Sequence, residues 1–211
     1  MLMNVRNFLG VLALTFLLTA CAKAKEKSPD LAPPPDQSSA EETKAINATL
    51  ARIEALTVEV GDERHFRSLP IIVRETADAS VVPNFGACIR SAGKAQYILL
   101  KKEVFVQEKR LVKMEAADRT LFRVLLHEIG HCYFGREHDN ARIESEGQFL
   151  EITSGGKSLQ YMSLDVSAMA EATLVQPSAL DKYYVAELLG LARATSPDEI
   201  KPFAEVKFVA P

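Results

Sequence analysis

Three of the chain's four histidines stand in one short run, His127-Glu128-Ile129-Gly130-His131-Cys132-Tyr133-Phe134-Gly135-Arg136-Glu137-His138-Asp139. On a helix, residues four apart share a face, so His127 and His131 are neighbours roughly 6 Å apart along the axis. Two neutral imidazoles at that spacing can fill two positions of a tetrahedral Zn2+ ion, one ion per chain. Glu128 follows the first of them and can take a proton from a water that zinc has acidified. These are the parts of an H-E-x-x-H metallohydrolase site with Glu128 as general base. His138, past Gly135, is the candidate third ligand. Glu137 and Asp139 are the alternatives, since carboxylates also ligate zinc. The competing reading is a solvated, paired helix face. Gly130 argues against it, because a glycine inside a helix costs about 1 kcal/mol relative to alanine and needs another reason to be there.

A helix must carry these residues. Leu121, Val124, Leu125 and Ile129 recur at helical spacing, which predicts a helix from roughly Glu115 to Phe134, with Gly135 at its end. Ile46, Leu50, Ile53 and Leu56 predict an amphipathic helix over Thr43–Leu56. Leu69–Val73 and Tyr97–Lys101 read as strands, and Val104–Val112 as an extension of that sheet. From Gly135 to about Leu164 the chain reads as polar and irregular. Ser178–Asp181 is a capping pattern for a last helix, in which Leu180, Tyr184 and Leu188 share a face and which Gly190 ends. This order of elements implies an α+β fold.

Length and composition agree with one core. The chain has 211 residues, 47% of them hydrophobic, enough for a single globular domain. Its 25 basic and 28 acidic residues are mixed along the chain, with no basic run, so a nucleic-acid partner is not expected. The remaining histidine, His65, lies in a charged stretch and is assigned no role.

The first residues do not read as part of the fold. Arg6 precedes an apolar run, Phe8–Leu18, of signal-peptide length and too short to span a bilayer. The run ends in Leu18-Thr19-Ala20-Cys21, which resembles the lipobox of bacterial lipoproteins. That resemblance implies cleavage after residue 20 and lipid on Cys21, which anchors the chain to a membrane of the cell envelope. Ala22 in place of Asp after the cysteine implies the outer membrane, facing the periplasm or the cell surface. Residues 21–42 are rich in Lys, Glu, Ser, Pro and Gln and read as a disordered tether. The expected domains are therefore 1–20, 21–42 and 43–211. Cys88 and Cys132 are the two cysteines left over, and export makes a disulfide between them the expectation.

H-E-x-x-H, then a glycine turn, then histidine, resembles the metzincin clan of zinc peptidases. The usual pattern is one residue shorter: here Phe134 stands in the glycine place, Gly135 follows, and His138 comes seven residues after His131. The resemblance implies a zincin-like fold. A twisted mixed sheet packs on the active-site helix, and a smaller C-terminal part holds a Met-turn and a closing helix. Ser167-Ala168-Met169 resembles the Met-turn core, which makes Met169 structural, with Met162 as competitor. Glu171 stands where some members carry a metal-reaching Tyr. The function implied is hydrolysis of peptide bonds in peptide or protein substrates. The alternative is a catalytically silent, zinc-stabilised envelope lipoprotein acting as a scaffold, against which the intact Glu128 argues.

Overall fold

A computed structural model describes residues 33–75, 85–107, 120–145, 148–154, 157–170 and 178–209. Cys21 and the signal segment lie outside the described residues.

Helix α1 (Ala40–Glu59) starts earlier than its apolar spacing predicts, because Ser39 and Glu42 form a reciprocal cap. The Glu42 N–H donates to Ser39 Oγ at 3.2 Å, and the Ser39 N–H donates to the Glu42 carboxylate at 2.7 Å. The helix buries Ile46, Leu50 and Ile53. The segment before it departs from the expected tether. The Val73 N–H donates to Asp36 Oδ1 at 2.9 Å, and the Gln37 N–H donates to the Val73 carbonyl at 3.0 Å. Composition misses this because the bonds are made by backbone and short polar side chains, which hydrophobic patterning does not register.

The first sheet has the order β1-β3-β2, from β1 (Ile71–Arg74), β2 (Gly86–Ser91) and β3 (Lys94–Lys101). β1 and β3 run parallel, and β2 and β3 form an antiparallel hairpin. Ala92 and Gly93 turn that hairpin with positive φ at both positions. The outer edge of β1 is covered by Asp36 and Gln37. Among the described residues no strand pairs with the outer side of β2. The expected extension over Val104–Val112 is corrected: residues 103–107 are helical, and the rest of that stretch lies outside the described residues. Val104 and Phe105 are adjacent yet both buried, which a strand with alternating faces does not achieve.

Helix α2 (Thr120–Phe134) lies against this sheet; residues 115–119 of the predicted helix are outside the described part. It is buried around most of its circumference, with Leu121, Leu125 and Ile129 in the core beside Ile53, Leu100 and Tyr184.

The expected irregular stretch from Gly135 to Leu164 is also corrected. It holds β4 (Arg142–Glu144), β5 (Phe149–Ser154), β6 (Lys157–Tyr161) and β7 (Ser163–Asp165). β4 pairs with β7, and a third sheet has the order β6-β5-β8, where β8 is Val206–Val209. β5 and β6 pair antiparallel, with Ser154 opposite Lys157. The Gly155-Gly156 dipeptide in the sequence, with buried Leu150 and Ile152 alternating around Glu151, was the available hairpin signal. These strands are short, so their polar residues hide the alternation.

Helix α3 (Asp181–Leu188) follows a single 3-10 turn, Ser178–Leu180. The last helix predicted from Ser178 thus opens with that turn, and Leu180 is the N-cap residue of α3, with no side-chain cap of its own. Asp181 pairs with Arg52 of α1 at 2.8 Å. The whole is α+β.

Candidate metal centre

The site is built on one face of α2 and on the turn that ends it. Gly135 takes φ 62°, a conformation glycine adopts without strain, and the Arg136 N–H closes onto the Gly130 carbonyl at 3.1 Å. The chain therefore doubles back at once. This brings His138 beside the helical pair, so the residue added to the turn does not separate them. The His127 and His131 Nε2 atoms are 3.0 Å apart, and those of His131 and His138 are 3.2 Å apart. One nitrogen from each of the three lies within 4.8 Å of the others. Among the described residues neither Glu137 nor Asp139 belongs to this group. Asp139 is turned away: it accepts the Ala141 N–H at 3.1 Å and lies 3.7 Å from Arg193.

Two carbonyls settle how the rings point. His127 Nδ1 is 3.1 Å from the Ala168 carbonyl, and His131 Nδ1 is 2.7 Å from the Arg136 carbonyl. A carbonyl only accepts, so each Nδ1 carries the proton and each Nε2 presents a lone pair. The two Nε2 atoms face each other with nothing to share unless a cation lies between them. Burial pushes the His127 imidazole down to about 4, helped by the neighbouring His131 and opposed by the Ala168 carbonyl. Burial also lowers His131. Both rings are neutral near pH 7, which is the ligating form.

Glu128 lies against Gly86 of β2 and lines the same cleft as the histidines. Its residue is 5% exposed, and one carboxylate oxygen is buried with no hydrogen-bond partner. Burial raises its carboxyl to about 7, against the pull of the Cys88 backbone. β2 can approach this closely because Gly86 has no side chain. A Cβ there would lie 2.8 Å from Val124 and 3.0 Å from Cγ of Glu128. The Cys88–Cys132 disulfide then joins β2 to α2 one residue past His131.

The other side of the helix explains Gly130. A Cβ at this position would lie 2.3 Å from the Met169 sulfur and 3.0 Å from Leu188 Cδ1. Met169 is fully buried there, whereas its competitor Met162 is 57% exposed. α3 holds this segment from behind. The Tyr183 hydroxyl donates to the Val166 carbonyl at 2.7 Å, and the Tyr184 hydroxyl to the Asp165 carbonyl at 2.6 Å.

Glu187 is the site residue that spacing did not single out. Its carboxylate accepts the Ala168 N–H at 2.8 Å and pairs with the Arg136 guanidinium. Ala168 and Arg136 are the two residues whose carbonyls orient His127 and His131. One buried carboxylate thus ties together both second-layer contacts. A lone glutamate on a closing helix carries no such signal in sequence, because its partners lie about 20 and 50 residues away.

These residues open onto one cleft of about 680 Å3, lined by Phe85–Cys88 of the β2 side, Arg123, the three histidines, Glu128 and residues 135–138. No family model, curated protein or solved structure matches the chain.

Proposed function

We propose that the chain is a zinc-dependent peptidase with a zincin-like fold, exported and held in the cell envelope by lipid on Cys21. The observation that carries the reading is the convergence of imidazole lone pairs. His127 and His131 have their Nδ1 protons spent on carbonyls, so their Nε2 atoms point at one another and at His138. Three imidazole nitrogens and an open cleft fit zinc in a catalytic rather than a closed structural site. His127, His131 and His138 would hold the ion. When bound, zinc supplies a water of lowered pKa and polarises a carbonyl oxygen.

The remaining steps belong to the chain's own residues. Glu128 takes the proton of the attacking water and returns it to the leaving amine. Its unpartnered buried oxygen leaves it free to do so. β2 borders the cleft with an outer side that no described strand occupies, which suits an extended peptide bound by strand addition. Met169 supports the helix from below, and Glu187 holds the carbonyls that orient the ligands.

Elemental mass spectrometry of the chain and of His138→Ala tests the ligand set: one zinc per chain in the parent and much less in the variant are expected. Glu128→Ala should keep the zinc and lose hydrolysis of an unfolded protein substrate. A well-folded parent that takes up no zinc, or undiminished hydrolysis by Glu128→Ala, would refute the reading.

A further inference from the structure

Three arginines line the cleft, Arg90, Arg123 and Arg136. Two are fully engaged. The Arg90 guanidinium donates to the His131 and Gly93 carbonyls, both at 2.7 Å. Arg136 pairs with the Glu187 carboxylate and donates to the Glu187 carbonyl at 3.1 Å. Arg123 differs. The residue is 3% exposed, its Nε and one Nη are buried with no hydrogen-bond partner, and it makes no ion pair among the described residues. The Tyr184 ring lies against it, with Cζ 3.6 Å from the centroid, and its charge also helps to lower the neighbouring His127 imidazole. A ring face offsets part of a cation's desolvation but accepts none of its five N–H bonds. Burying a guanidinium and leaving its donors unmet is unfavourable unless something completes the site.

The position says what completes it. Arg123 lies one helical turn before His127, on the same face of α2. It therefore stands beside the histidine cluster, within reach of a residue next to a scissile bond. The planar fork, already stacked and held by Tyr184, matches the two oxygens of a carboxylate. We propose that Arg123 is a specificity-determining residue that binds a carboxylate of the peptide substrate: an Asp or Glu side chain, or the peptide's own C-terminus. The inference rests on the peptidase reading only in taking the ligand to be a peptide. A purely structural Arg123, serving to pack against Tyr184, would give no such selectivity.

The test uses the full chain with zinc and a matched set of peptides. Each carries Glu, Gln or Ala at successive positions, with a free or an amidated C-terminus. Cleavage is mapped by mass spectrometry, and binding of the same peptides to Glu128→Ala is measured by calorimetry. A charged, bidentate contact should favour Glu over its isostere Gln at one position, or the free C-terminus over its amide, by about tenfold or more. Arg123→Gln should erase that ratio, while Arg123→Lys should keep part of it. A Glu-over-Gln preference that survives amidation assigns the side chain, and a preference for the free acid that is indifferent to Glu or Gln assigns the terminus. A parent protein that treats carboxylate and amide alike in cleavage and in binding overturns the proposal, whether or not the variants fold. Arg123-dependent binding without any cleavage would sustain the proposal and remove the peptidase reading. Cleavage without acidic preference does the reverse.

Discussion

Replacing Gly130 by alanine should weaken this protein, although the same change in an exposed helix strengthens it. The helix term favours alanine by about 1 kcal/mol. Against it, the new methyl would lie 2.3 Å from the Met169 sulfur, 3.1 Å from Met169 Cε and 3.0 Å from Leu188 Cδ1. Comfortable contact is about 3.5–4.0 Å, so the sulfur must retreat by more than 1 Å. Met169 is fully buried and has no solvent to move into. Overpacking of this kind costs roughly 1–3 kcal/mol, which leaves a net loss of about 1 kcal/mol. In a domain of this size that lowers Tm by about 2–4 °C. The retreat also pushes on Ala168, whose carbonyl orients His127, so zinc affinity should fall as well. Urea denaturation of the metal-free parent, Gly130→Ala, Met169→Ala and the double variant measures the coupling. Met169→Ala alone leaves a cavity and should cost about 2–5 kcal/mol. The double variant should be more stable than the sum of the two predicts, by at least about 1 kcal/mol. Gly130→Ala that raises Tm, with additive energies in the double variant, would refute the packing of Met169 beneath the ligand helix.

Glu187→Gln should keep the fold and lower zinc affinity about 10- to 100-fold, read with a competing chelator, because the carbonyls facing His127 and His131 lose their common anchor; unchanged affinity would sink that role. Glu128→Gln should stabilise the metal-free protein at pH 8 by on the order of 2 kcal/mol and leave it little changed at pH 4, since a carboxyl raised from 4.5 to about 7 gives its stability in full below 4.5 and loses it as pH rises from there to 7. In that Glu128→Gln background the lowered His127 and His131 dominate above pH 5, so stability should fall as pH drops from 6.5, where the unfolded chain binds protons that the fold refuses, and the lowered Glu199 and Asp36 add to the fall near pH 4. A Tm flat over that range would contradict it. Removing the disulfide as Cys88→Ser/Cys132→Ser, which opens a link between residues 44 apart, should cost about 4 kcal/mol in urea unfolding; an unmoved midpoint would show that packing alone joins β2 to α2.

The candidate metal-binding residues were legible because their logic is local. Four-residue spacing puts His127 and His131 on one face, and a glycine turn returns the chain to His138. The framework behind them was less so. Helices α1 and α2 show their apolar period over several turns, and a shift of a few residues at an end does not hide it. The strands from Arg142 to Asp165 are three to six residues long, too short for alternation to outweigh their polar content. Residues 103–107 misled because β-branched and aromatic residues suit strands, yet burial on adjacent positions decided for a helical turn. Gly86, Arg123 and Glu187 were out of reach for a further reason. Each matters through a neighbour remote in sequence: β2 over Glu128, the Tyr184 ring, the Ala168 and Arg136 backbone. Gly130 lies between the two cases. Its oddity is visible in the sequence, and its cause is a methionine 39 positions away.

The clamping of α2 also defines a unit of joint constraint on substitution. Gly86 and Cys88 stand two apart on the strand above the helix, and Gly130 and Cys132 stand two apart on the helix itself. Gly86 lets β2 approach one side of the helix, where the two cysteines fasten it, and Gly130 lets Met169 and Leu188 approach the other side. Drift at any one of the four alters the spacing that the other three require. They should therefore be kept or lost together, with Met169 and Glu187, whereas the glycines at 61 and 190 have nothing within 4 Å and are constrained by their own positive φ, 90° and 75°, independently of this unit. The pattern G-x-C, then H-E-x-G-H-C, then S-x-M and a later glutamate is accordingly a sharper probe for distant relatives than the histidine motif alone.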